Sequence, residues 1–125
     1  MERPSTRRVI ETCLARGAAE AWLISGRPPM VRFAEYVREL STLPPLTSDG
    51  IARMVFEDLA PNLADWYRDH GFCSFDYPCR WRDGTRVRVF VLRHGGETFV
   101  TLTPLAPGTP ELKYDDADPG DGDGA

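Results

Sequence analysis

Lysine is nearly missing from this chain: Lys113 stands alone against fourteen arginines, a bias that codon composition explains before function does. No apolar run approaches the ~20 residues needed to span a bilayer. Met1-Glu2-Arg3-Pro4 opens onto a polar segment, not onto the apolar core of a signal peptide. Cysteine is scarce too. Cys13, Cys73 and Cys79 are an odd number and too few for a disulfide scaffold, which agrees with a reducing compartment. Together these absences predict a cytoplasmic protein with no membrane insertion.

The 125 residues, 42% hydrophobic, leave room for one modest core. Charge divides the chain unevenly. Residues 1–106 carry 14 bases and 13 acids, whereas residues 107–125 carry one base and six acids. The acidity therefore belongs to the tail. That tail is rich in Pro, Gly and Asp and cannot bury enough apolar area to offset its ordering entropy, so a folded domain over 1–106 and a disordered tail over 107–125 are expected. A nearly neutral body without interleaved exposed aromatics argues against a nucleic-acid partner.

The region from Glu20 to Leu40 reads as strand, tight turn, strand, short turn, strand, with Ser25 to Pro29 as the main turn. Before it, Ser5 or Thr6 can cap a helix carrying Val9, Ile10, Cys13 and Leu14, with Gly17 as its end. After it, Pro44-Pro45 breaks the chain, and Thr47, Ser48 or Asp49 can cap a second helix with Ile51, Met54, Val55 and Leu59 on one face. Pro61 fits the first turn of a third helix bearing Leu63, Trp66 and Tyr67, closed by His70 and Gly71. Beyond Gly71 the period becomes two. Cys73, Phe75 and Tyr77 share a strand face, Asp83-Gly84 turns into a strand with Val87, Val89 and Val91, and Gly95-Gly96 turns into Glu97 to Thr103. The sum is an α+β domain of about six mostly antiparallel strands with about three helices on one face.

Several residues in this order resemble a known family. Ala18-Ala19-Glu20-Ala21-Trp22-Leu23 followed by Gly26-Arg27-Pro28-Pro29-Met30-Val31-Arg32 is similar to the opening of the N-terminal, PAS-like domain of PilT-type retraction ATPases. Phe72-Cys73-Ser74-Phe75, then Arg86-Val87-Arg88-Val89, then Leu102-Thr103-Pro104 resemble that domain's later strands, so the likeness runs over roughly residues 5–106. Departures fall on polar positions: Glu20 replaces an Asp, Trp22 a His, Ala34-Glu35 an Asp-Gly turn, and Phe90 an Asn. The family's P-loop has no counterpart, since no Gly-x-x-x-x-Gly-Lys-Ser/Thr occurs.

The resemblance thus implies an accessory domain of type IV pilus or type II secretion motors, standing without the motor and its twitching-motility activity. It is not expected to be an enzyme or to hold a cofactor. In hexameric motors of that family such a domain packs on a neighbour's ATPase domain, which implies a protein partner: a PilT-type or secretion ATPase, or copies of the chain itself. The arginines matching the family, Arg32, Arg86 and Arg88, are the partner-binding candidates, with Arg80 and Trp22 beside them. A PAS-like small-molecule sensor, with a ligand between helices and sheet near Trp66, Tyr67, Phe75 and Tyr77, is the alternative.

Two chemical readings are weaker. His70, Cys73, Cys79 and His94 supply zinc-type ligands, but no paired Cys-x-x-Cys knuckle is present and Cys73 sits on an apolar strand face, as a small hydrophobe does. His70 and Cys73 as base and nucleophile share proximity in sequence alone.

Overall fold

A computed structural model describes residues 5–40, 45–79 and 84–110. In chain order it runs α1 (Thr6–Ala15), β1 (Glu20–Ile24), β2 (Met30–Arg32), β3 (Val37–Glu39), α2 (Ser48–Leu59), a 3-10 turn (Pro61–Leu63), α3 (Ala64–His70), β4 (Phe72–Pro78), β5 (Arg86–His94) and β6 (Glu97–Pro104). The six strands form one antiparallel sheet in the order β3-β2-β1-β6-β5-β4, the expected PAS-like α+β arrangement.

The helices begin and end where local chemistry dictates. The Ser5 hydroxyl accepts from the Arg8 amide at 3.1 Å, and the Thr47 hydroxyl accepts from Gly50 at 2.9 Å, each satisfying a donor that a first turn leaves open. Gly71, at φ 81°, closes α3 in the left-handed conformation that favours glycine. Pro61 starts a 3-10 turn, and α-helical geometry begins only at Ala64.

Alternation sorts β1, β4, β5 and β6 into an inner and an outer side. Ala21, Leu23, Val31, Cys73, Phe75, Val87, Val89, Val91, Val100 and Leu102 point inward, against Val9, Ile10 and Cys13 of α1, Ile51, Val55 and Phe56 of α2, and Tyr67 of α3. Phe56 joins this core although the sequence pattern left it out: Val55 and Phe56 both fall inside an apolar stripe wider than the one expected.

All three helices pack on that inner side. Among the described residues the outer side has no helical cover. After β6 the ladder continues for one residue, Leu105 N–H donating to the Arg86 carbonyl at 2.9 Å. Composition placed the start of the tail at Pro107, but the chain stays on the sheet through Pro110, held by contacts described below. The rest of the expected tail, 111–125, lies outside the described residues.

A candidate docking face

The strand register lays the outer side out as rows running across the sheet. The first is apolar: Phe72, Leu92, Phe99 and Ile24 pair in turn from β4 through β5 and β6 to β1. Phe72 is 47% and Leu92 38% exposed, an unusual state for large apolar side chains side by side. The second row is mixed, reading Ser74, Phe90, Thr101, Trp22, Met30 and Glu39. Trp22 also leans on the first row, its ring 6.3 Å from that of Phe99.

The third row is charged. Asp76 pairs with Arg88, Arg88 with Thr103, and Glu20 with Arg32, while the Thr103 hydroxyl bridges to Glu20 Oε2 at 3.3 Å. Arg88 grips both Asp76 oxygens, Nε at 2.8 Å and Nη2 at 3.0 Å, the fork geometry in which guanidinium and carboxylate pair best. Arg86, one row further on, reaches the same carboxylate at 3.5 Å. The Asp76 side chain is 3% exposed, whereas those of Arg86 and Arg88 remain open over a quarter to a third of their surface. Hydrogen bonding to Asp76 raises the Arg88 pKa further, so the group stays charged.

Glu20 organises the other end of that row. Its Oε1 accepts from the Trp22 indole at 2.6 Å and from Arg32 Nε at 3.2 Å. Burial pushes the Glu20 carboxyl up, but the hydrogen bonds from Trp22 and Arg32, the charge of Arg32 and the Thr103 hydroxyl together pull it below the usual carboxylate value of 4.5. Glu20 therefore fixes the orientation of two candidate partner-binding side chains.

Four of the five sequence candidates, Trp22, Arg32, Arg86 and Arg88, thus share one face, although they come from β1, β2 and β5. Arg80 lies outside the described residues. Neither Asp76 nor Glu20 was a sequence candidate for the site, although Glu20 marks a departure from the family pattern; the β4–β5 register is what sets Asp76 opposite Arg88.

Two solved ATPase structures share this fold. The pilus retraction motor PilT with bound ADP superposes with a TM-score of 0.72 at 22% identity, over 91% of this chain and 34% of that one. The Legionella pneumophila ATPase DotB superposes with a TM-score of 0.64 at 17% identity, over 94% of this chain and 34% of its own. The chain therefore spans about a third of the length of these structures. No family of known sequences and no curated protein matches it.

The weaker chemical readings meet a different geometry. Cys73 faces the core, and burial pushes its thiol up to about 11. The His70 ring stacks on Trp66 with centroids 3.5 Å apart, and its Nδ1 donates to the Trp66 carbonyl at 2.8 Å, serving the end of α3. Among the described residues no three His, Cys, Asp or Glu side chains gather as a metal site would require, and no helix is long and apolar enough to cross a membrane. Phe75 and Tyr67 are core residues. The Tyr67 ring also floors a groove of about 350 Å³ between α2 and α3, with Phe56 beside it and Arg53, Arg68 and Arg93 at its rim.

Proposed function

We propose that this chain is a cytoplasmic, non-enzymatic docking module whose outer sheet face binds a motor ATPase of the pilus or secretion kind, or a second copy of itself. The observation behind this reading is the convergence of Trp22, Arg32, Arg86 and Arg88 on the one sheet face without helical cover, where Phe72 and Leu92 stand exposed. Aromatic and arginine side chains are the types that anchor protein interfaces. A fold shared with about a third of PilT and DotB supports motor ATPases as the partner class. The test is capture from host lysate on the immobilised full chain, with a Leu92→Asp/Trp22→Ala bait as control. Retention of a pilus or secretion ATPase, or of the chain itself, by the natural bait and its loss with the variant is the expected result. Equal retention by both baits, or retention of neither protein, overturns the reading.

The groove over Tyr67 favours a second reading, a sensor for a small anion with an apolar body. Its ligand would sit between α2 and α3 and not between helices and sheet, where Val89, Val91, Phe56 and Phe75 fill the space. A rise in melting temperature with such anions, lost in Arg93→Ala, checks it.

A further inference from the structure

We propose that the uncovered sheet face is an interaction surface whose resident occupant is this chain's own segment 111–116, laid across it in cis. The argument begins with how residues 105–110 leave the sheet. Ala106 to Thr109 form a turn in which the Thr109 amide and hydroxyl both donate to the Ala106 carbonyl, at 3.1 and 2.7 Å. Pro107 and Gly108, the latter at φ 86°, are the residues such a turn requires at its centre. The turn reverses the chain and returns it over the outer face.

There two successive carbonyls are caught in order. Arg86 Nη2 donates to the Thr109 carbonyl, and Arg88 Nη2 donates to the Pro110 carbonyl at 3.0 Å. Both arginines project from the outward side of β5, so the chain advances from Arg86 toward Arg88 and onward to the apolar rows of Phe90 and Leu92. Those rows lie ~7 and ~14 Å past Arg88 along the strand, and six extended residues reach ~20 Å.

The segment that follows fits what it meets. Glu111-Leu112-Lys113-Tyr114-Asp115-Asp116 places Leu112 and Tyr114 two apart, so an extended strap turns both toward the sheet while Glu111, Lys113 and Asp115 turn toward water. Leu112 and Tyr114 are the large apolar side chains of residues 111–125, and they fall where the exposed Leu92 and half-buried Phe90 and Phe99 need cover. Charge agrees where the strap enters: Arg86 and Arg88 outnumber Asp76 there, and residues 111–125 carry six acids against Lys113. The strap takes its location from the proposed docking face but not its occupant, because no other protein is needed to form it.

Amide exchange read by NMR on the full chain tests this without a partner. The expected result is exchange of the 112–115 amides at least about tenfold slower than the intrinsic rate for that sequence, unchanged by tenfold dilution. In Leu112→Asp/Tyr114→Asp the protection disappears, and the resonances of Phe90, Thr101 and the Trp22 indole shift while those of Val89 and Val100 on the inner side stay, which also shows that the variant is folded. Exchange at the intrinsic rate in the natural chain overturns the proposal. So does protection that survives the double substitution, and so does protection lost on dilution, which assigns the face to a second copy. A protected strap in a chain that retains no ATPase separates the failure of the docking reading from the failure of this one.

Discussion

Arg88 and Asp76 stand opposite each other in register on β5 and β4, and the guanidinium holds both carboxylate oxygens of a side chain that is 3% exposed. Hydrogen bonds to a charged group are worth about 1.5–3 kcal/mol, so Arg88→Ala is expected to lower the unfolding free energy by about that much in urea titration. Arg88→Lys keeps the charge but loses the fork and is expected to recover less than half of the loss. A Lys variant as stable as the natural chain would show that charge alone matters here.

Glu20 makes stability depend on acid. Its pKa is lowered in the fold, so the stabilisation is fully present above the ordinary value of 4.5 and fades as pH falls through the lower, folded value. Glu20→Gln is expected to be less stable than the natural chain at pH 7, and the gap should narrow below pH 4.5. Denaturation midpoints at both pH values check this, and a gap independent of pH counts against it.

The thiols of Cys13 and Cys73 are pushed up to about 11 by burial, with the nearby Glu20 charge adding to the effect at Cys13. At pH 8 roughly one in a thousand of each is thiolate, and both are closed off from reagents. Peptide-level mass spectrometry should find both at least about a hundredfold slower to alkylate in the folded chain than in urea. Rapid native labelling of either would contradict the packing of α1 or β4.

The Tyr67 hydroxyl is buried and has no hydrogen-bond partner among the described residues. Removing an unsatisfied buried polar atom relieves its desolvation cost, so Tyr67→Phe is expected to be neutral or stabilising by up to about 1 kcal/mol. Thermal unfolding decides; a loss above 1 kcal/mol would mean the hydroxyl is bonded after all.

Much of this architecture was legible along the chain because its signals are local. Ser5 and Thr47 announce their helices by side-chain chemistry, and Val87, Val89 and Val91 mark the inner side of β5 by period alone. The candidate face was legible only in pieces. Arg86 and Arg88 could be placed on one side of a strand, and Arg32 and Trp22 on a hairpin, but the pairing of β1 with β6 that joins them depends on residues far apart in sequence. Asp76 and Glu20 were missed for a nearer reason, since Arg88 and Arg32 meet them from an adjacent strand. A carboxylate's partner lies across the ladder, and the pattern within one strand is silent about its neighbour.

That long-range pairing also orders events in time. The strands β1-β2-β3 close within residues 20–39 and β4-β5-β6 within 72–104, each by short connections, while Thr103 and Glu20 meet across 83 residues. Closing so long a loop is entropically costly, which predicts that the β1–β6 seam forms after the two hairpin-linked halves. Every row of the outer face crosses that seam. A chain still in two halves lacks the joined rows of Trp22, Arg32 and Arg88, so the proposed docking face exists only once β1 and β6 have paired.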